Sequence, residues 1–241
     1  MNFNRIFIAA LLISGITVSC NNMGGAGGNV SINSSMDSVS YSAGVSIGNN
    51  LKPQTEKDSL NIDALLAGLS DVLKGSSDLK LTEEQCNQIL QTYSMRKQQE
   101  MVAATQKEAT TNLEKGQAFL AENGKKDGVT TTESGLQYEV ITEGSGPSPK
   151  ATDQVTVHYH GTTIDGTVFD SSVDRGEPAS FPLNGVIKGW TEGLQLMKTG
   201  AKYKFYIPAN LAYGSQRRSE EIGPNETLIF EVELLSVGGA Q

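Results

Sequence analysis

Proline and glycine divide this chain in two. Between Met36 and Asn123 there is a single proline, Pro53, whereas six follow Gly128, among many glycines and short runs of β-branched and aromatic residues. Proline clashes inside a helix and lacks its backbone donor; short runs between turn residues suit strands. The first half is therefore expected to be helical and the second a sheet, which makes an α+β chain. At 241 residues it suits one or two domains.

Asn61 to Gly75 is the clearest helix. Ile62, Leu65, Leu66, Leu69, Val72 and Leu73 share one face, with Asn61 placed to cap the start and Gly75 the end. The preceding segment is ambiguous. Val39, Tyr41, Ala43, Val45 and Ile47 alternate as in a strand, yet Gly44 and Gly48 lie four apart, which on a helix opens one face to close packing. Thr82-Glu83-Glu84-Gln85 reads as a capping box, and the helix it opens runs to Asn123 before Gly124 stops it. Such a helix reaches about 60 Å. Ile89, Leu90, Tyr93 and Met95 give its beginning an apolar face, but from Arg96 it is polar nearly all round, as in a helix that bridges domains through solvent.

The N-terminus reads as a targeting segment. Arg5 precedes an apolar run, Ile6 to Ile16, far shorter than the ~20 residues that span a bilayer. The run ends in Thr17-Val18-Ser19-Cys20 and a loose Asn/Gly stretch. This resembles a bacterial lipoprotein signal: residues 1–19 removed, Cys20 acylated, and 20–35 a flexible linker. Asn21 stands where an Asp would resemble an inner-membrane retention signal, so an outer-membrane anchor in the bacterial envelope is expected, on either face. Without residues 1–19 the chain has 18 basic and 27 acidic side chains, a net −9. That balance argues against nucleic acid as a partner. With Cys20 lipidated, Cys86 has no intramolecular disulfide partner and is expected to be a small buried apolar residue.

In the second half, alternating runs at Leu136–Ile141, Gln154–Tyr159, Lys202–Ile207 and Thr227–Leu235 are expected as strands, and Trp190–Met197 as a short helix. His158 and His160 flank Tyr159, so on a strand both imidazoles share one face. No other Cys or His in this half completes a metal site, and solvent-facing imidazoles are expected; no metal or cofactor is required. Nor does a nucleophile elbow or phosphate loop appear; Gly144-Ser145-Gly146-Pro147 is a turn. What stands out in a chain with one Trp is a set of aromatic and apolar residues at strand ends: Tyr159, Phe169, Phe181, Val186, Ile187, Trp190, Tyr213 and Phe230, interleaved with Asp170 and Arg175.

Their order is informative. Val155-Thr156-Val157-His158-Tyr159-His160-Gly161, Gly166-Thr167-Val168-Phe169-Asp170-Ser171-Ser172, Gly185-Val186-Ile187-Lys188-Gly189-Trp190, Ala212-Tyr213-Gly214 and Leu228–Leu234 resemble the FKBP family in sequence and spacing, over about Gly128 to Val237. Asp37–Lys52 and Asn61–Gly75 resemble the N-terminal domain of its macrophage infectivity potentiator branch. The resemblance implies an antiparallel sheet wrapped round a short helix (128–241), an all-α dimerisation domain (36–95) and a long connecting helix (82–124); it also favours a helix over Ser38–Leu51.

The activity implied is peptidyl-prolyl cis/trans isomerisation of secreted or envelope clients containing proline, without a cofactor and with accompanying chaperone activity. A non-catalytic chaperone or scaffold that merely holds prolyl segments is the alternative. By resemblance the catalytic pocket comprises Asp170, Tyr213, Phe169, Trp190 and Tyr159, with Trp190 as floor; Arg175, Phe181, Val186, Ile187, Ile222 and Phe230 complete the substrate site. The sequence departs from small family members at Ala179, where many carry a second Phe, and in the short Leu183–Val186 stretch. It departs again in the loop Ser215–Asn225, whose Arg217, Arg218, Glu220 and Glu221 are expected as a charged rim. Finally, the apolar faces of residues 36–95 exceed what ~60 residues of short helices can bury in themselves, which predicts a homodimer.

Overall fold

The computed structural model describes residues 30–238; the expected signal segment 1–19, Cys20 and linker residues up to 29 lie outside the described residues. The chain forms two compact units, one ending at residue 88 and one beginning at Ile89.

The first unit opens with helix α1, Ser35–Lys57. Ser34 Oγ accepts from the Asp37 N–H at 3.0 Å and the Asp37 carboxylate accepts from the Ser34 N–H at 2.8 Å, a reciprocal cap. The helix runs on past Pro53 for a further turn. Its alternating apolar residues do not make a strand, because Gly44, Val45, Gly48, Leu51 and Thr55 follow a helical stripe in which two positions lack a side chain. That stripe faces Ile62, Leu65, Leu66, Leu69 and Leu73 of helix α2, Ile62–Leu73, across an open cleft. Asn61 Oδ1 caps α2 by accepting from the Ala64 N–H at 3.0 Å, and Gly75 leaves it with φ +69°. Among the described residues of this unit no apolar side chain is buried.

Helix α3 spans Glu83–Asn123, 41 residues, and starts at the expected capping box: Gln85 N–H donates to Thr82 Oγ1 and Thr82 N–H to Gln85 Oε1. Cys86 in its first turn is half-buried and free, where a buried thiol was expected. The polar second half of α3 is not free in solvent. Ala109, Gly116 and Asn123 are buried, Phe119 lies 5.9 Å from the Tyr206 ring, and Asn123 Nδ2 donates to Gln137 Oε1 at 2.9 Å. Phe119 apart, small residues and amides make this contact, so no apolar period announces it.

The second unit is an antiparallel sheet of seven strands: β1 (Val129–Thr131), β2 (Gln137–Thr142), β3 (Gln154–Thr163), β4 (Val168–Ser171), β5 (Ala179–Pro182), β6 (Lys202–Ile207) and β7 (Leu228–Gly238). The order is β1-β2-β6-β7-β3-β4, with β5 also on β3. Thus one edge of β3 is shared: Gln154–Val157 pairs with β5 and His160–Thr162 with β4. Between β4 and β5 the chain leaves the sheet through the single helical turn α4, Ser172–Arg175.

Helix α5, Lys188–Leu196, packs on the sheet through Gly189 and Gly193. A Cβ at Gly193 would stand 2.6 Å from the Phe205 ring and one at Gly189 would stand 2.5 Å from Ile207. Glycines four apart on the helix thus meet side chains two apart on β6. Leu194, Met197, Phe205, Ile207, Val155, Val157, Leu228, Val232 and Leu234 are fully inaccessible around this contact and form the core.

Candidate functional site: an aromatic pocket between sheet and helix

Alternation along β3 turns Tyr159 inward while its backbone is pinned by the buried Ser172. That hydroxyl accepts from the Tyr159 N–H at 2.8 Å and lies 3.3 Å from the Tyr159 carbonyl. The two histidines beside it are part-exposed on the other face of the strand and bonded there: His158 Nδ1 lies 3.1 Å from Ser172 Oγ, and His160 Nδ1 lies 3.1 Å from Ser171 Oγ. Next on β3 is Gly161, paired with Asp170 of β4 and Phe230 of β7. Its missing side chain leaves room for two rings, since a Cβ there would be 2.7 Å from Phe169 and 2.9 Å from Phe230. The β3–β4 register slips between Gly161 and Thr162. Such an irregularity re-aims side chains, and here consecutive residues Phe169 and Asp170 both reach the pocket.

Trp190, in the first turn of α5 and only 4% exposed, forms the floor. Tyr159, Phe230 and Phe181 meet it edge-on at 5.3, 5.2 and 5.9 Å between ring centres. Edge-to-face contacts of this kind add about 0.5–1.5 kcal/mol each beyond area burial, so the floor is stiff. Val186 and Ile187 reach the pocket from the segment leading into α5. Tyr213 comes after the 3-10 turn Ala209–Leu211, and Ile222 from the loop beyond it. The cavity holds about 580 Å³ and is lined by Tyr159, Phe169, Asp170, Phe181, Gly185, Val186, Ile187, Trp190, Tyr213, Arg218, Ser219, Ile222 and Phe230. That is the size of a small-ligand or side-chain site.

The polar end of the pocket is a three-residue network. Tyr159 Oη donates to Asp170 Oδ2 at 2.5 Å, Arg175 Nη1 donates to Asp170 Oδ1, and Arg175 Nη2 donates to Tyr159 Oη at 2.9 Å. Partial burial pushes the Asp170 carboxyl up, but the hydrogen bonds from Tyr159 and Arg175 and the guanidinium charge outweigh it and hold it below the ordinary carboxylate range. Burial, and then the bond to Asp170, push the Tyr159 phenol up. The carboxylate is therefore ionised and fixed in direction. Among the described residues none hydrogen-bonds to the Tyr213 hydroxyl, which leaves it able to serve a ligand.

Ten of the eleven pocket residues expected from sequence line this cavity. Arg175 does not; it stands behind Asp170 and orients it. Gly185, Arg218 and Ser219 line it without having been expected to. The flap divides differently from a charged rim: Arg218 lines the pocket, Arg217 turns to α3, and Glu220 and Glu221 line a separate groove of about 550 Å³ with Asn112 and Asp165. Two like charges stand side by side at Arg217-Arg218 and again at Glu220-Glu221, so the sequence does not show which side each takes. Chemically the pocket can take up an apolar ring on Trp190 beside a fixed carboxylate and a free phenol.

Residues 146–235 match the family described as FKBP-type peptidyl-prolyl cis-trans isomerase, and residues 36–140 match the domain amino terminal to it. A probable FKBP-type peptidyl-prolyl cis-trans isomerase FkpA of Neisseria meningitidis is 45% identical over 86% of this chain and 76% of its own. The outer membrane protein MIP of Legionella longbeachae is 44% identical over 86% and 88%. The crystal structure of FkpA from Escherichia coli superimposes with a TM-score of 0.68 at 39% identity, covering 88% of this chain and all of the other. On these grounds, and on the pocket itself, the chain belongs to the FKBP-type peptidyl-prolyl cis-trans isomerases.

Proposed function

We propose that this chain accelerates cis/trans isomerisation of X–Pro bonds in polypeptides of the bacterial envelope and holds unfolded clients while doing so. The observation that carries this reading is the closed aromatic floor around Trp190 with one ionised, immobilised carboxylate at its edge. Rotation about the prolyl bond is opposed by about 18–20 kcal/mol because it breaks amide resonance. The planar amide carries more negative charge on its oxygen than the twisted one, so water favours the ground state. The apolar pocket withdraws that water when the proline ring seats on Trp190, which favours the twisted form. Asp170, aimed by Tyr159 and Arg175, supplies a fixed dipole beside the rotating bond, and the Tyr213 hydroxyl anchors a substrate carbonyl. Phe169, Phe181, Val186, Ile187, Ile222 and Phe230 enclose the ring. No covalent step is needed.

Asp170→Leu and Tyr213→Phe are the test. Each is expected to lower kcat/KM on Ala-Leu-Pro-Phe peptides about tenfold or more, the scale of losing a positioned polar group in a dry site. The fold should survive, since Tyr159 keeps its bond from Arg175 when Asp170 is replaced. Unchanged rates in folded protein would remove both residues from the mechanism.

Two further elements complete the proposal. The lipid on Cys20 anchors the chain to the envelope, most simply the outer membrane; among the described residues no helix is long and apolar enough to cross a membrane. Cys20→Ser should move the protein from the membrane to the soluble fraction, and unaltered fractionation would refute the anchor. Residues 36–95 form a homodimer, so that two pockets can engage one client and gain avidity without new contacts.

A further inference from the structure

The loop that closes one side of the pocket, residues 215–225, is held at both ends by α3. Near its start Arg217 Nη2 donates to both carboxylate oxygens of Glu108. Near its end Asn112 Nδ2 donates to the Pro224 carbonyl at 3.0 Å, and Asn225 Nδ2 donates to the Ala109 carbonyl at 3.2 Å. The approach is close: a Cβ on Gly223 would stand 2.6 Å from Glu108 Oε1 and 2.9 Å from Asn112 Nδ2, and a side chain at Gly116 would collide with Thr227. Between the two tethers lie the three flap residues that line the pocket, Arg218, Ser219 and Ile222. They are tied to one another, because Arg218 N–H donates to the Ile222 carbonyl at 3.0 Å and Ile222 N–H to Ser219 Oγ at 3.1 Å. The Arg218 guanidinium also lies 5.6 Å from the Tyr213 ring centre.

We propose that Glu108 and Asn112 of α3 are positioning residues of the isomerase site: they fix the flap, and through Arg218 and Ile222 they set how tightly the residues flanking proline are gripped. The proposal rests on the isomerase reading above. Its basis is a geometry that brackets the pocket-lining residues on both sides with helix contacts. A flap released from α3 must be ordered anew each time a peptide binds, so the loss falls on binding and not on the rotation step. Glu108 and Arg217 are each part-exposed, at 38% and 45% of their side chains. A single pair of that exposure contributes little, but a guanidinium nitrogen shared between both carboxylate oxygens and backed by two amide bonds holds a defined position.

The test uses the full-length chain with Glu108→Ala, Arg217→Ala, the double substitution, the exchanged pair Glu108→Arg/Arg217→Glu, and Asn112→Ala. KM and kcat are measured on Ala-X-Pro-Phe peptides with X as Leu, Lys and Glu. Peptide Kd is read separately from the fluorescence of Trp190, the only tryptophan. Each single substitution should raise KM and Kd about three- to fivefold with kcat held, and change the ranking of X. The double should be no worse than either single, and the exchanged pair should recover most of the loss. Unaltered KM and Kd in the single variants would overturn the proposal. So would losses that add in the double and are not recovered by exchange, which mark general destabilisation. Asn112→Ala decides alone if the Arg217 variants fail to fold. If wild type binds the peptides without accelerating their isomerisation, the isomerase reading fails and the clamp is judged on Kd.

Discussion

Asp170 takes two hydrogen bonds from partners that also bond to each other, so its charge is held in place and not merely present. The folded pKa is depressed, so the group contributes stability that is fully present above its ordinary value of 3.8 and is lost as pH falls through the lower folded value. The stability gap between wild type and Asp170→Asn should therefore be constant from neutral pH down to about 4 and close below it, as read by denaturant melts across pH. A gap that narrows already near pH 6 would mean the network with Arg175 does not hold the carboxylate. At this scale the sequence was informative because the pocket's residues fall in short contiguous motifs, with Val186, Ile187 and Trp190 within five positions and Phe169 beside Asp170. It was silent on division of labour. Nothing in Val173-Asp174-Arg175 reveals that the turn α4 swings Arg175 behind Asp170, out of the lining. Nor does Arg217-Arg218 reveal that neighbouring guanidinium groups serve a helix and a pocket respectively.

Helix α5 places Trp190 because Gly189 and Gly193 let the helix come close to β6. Gly193→Ala should push α5 away from Phe205, and Gly189→Ala away from Ile207, at a cost of about 1–3 kcal/mol each, the usual scale of overpacking a filled core. Because Trp190 adjoins Gly189, the Gly189 variant should lose activity in excess of its lost stability, while Gly193→Ala should follow stability alone. Thermal melts beside peptide assays separate the two, and equal behaviour would mean the helix moves rigidly. The strands β2, β3, β6 and β7 alternate clearly enough to be read from sequence. The short β1, β4 and β5 do not, since three or four residues cannot establish a period. Helix α1 misleads by pattern because Gly44 and Gly48 contribute backbone, not hydrophobicity, to its packing stripe. The seat of α3 was hidden for a related reason: Ala109 and Asn112 meet the 215–225 loop, Gly116 meets Thr227 and Asn123 meets β2 through closeness and amide bonds, which hydropathy does not register.

At the scale of the molecule the second unit has a sealed core, whereas among the described residues of the first no apolar side chain is buried. Val45, Ile47, Ile62, Leu66 and Leu69 are all 40–53% exposed, and Leu73 is 83% exposed. Two helices that leave this much apolar surface in water gain too little from each other to offset the entropy of ordering their backbones, about 1–2 kcal/mol per residue. In the proposed dimer a symmetric second copy would cover the cleft between α1 and α2 with the same stripe it exposes, and the absent side chains at Gly44 and Gly48 would admit a close neighbour. Folding of residues 35–88 and dimerisation should then be one event. Light scattering on the chain without residues 1–20 should give twice the single-chain mass, with a melting temperature for these helices that rises with protein concentration. Leu69→Glu, which buries an unpaired charge in the seam, should give monomers whose far-ultraviolet dichroism has lost much of its helical signal while the isomerase unit keeps its own transition and its activity on short peptides. A monomeric Leu69→Glu protein with undiminished helix content would mean the first unit folds by itself, and a wild-type chain of single mass would remove the dimer altogether.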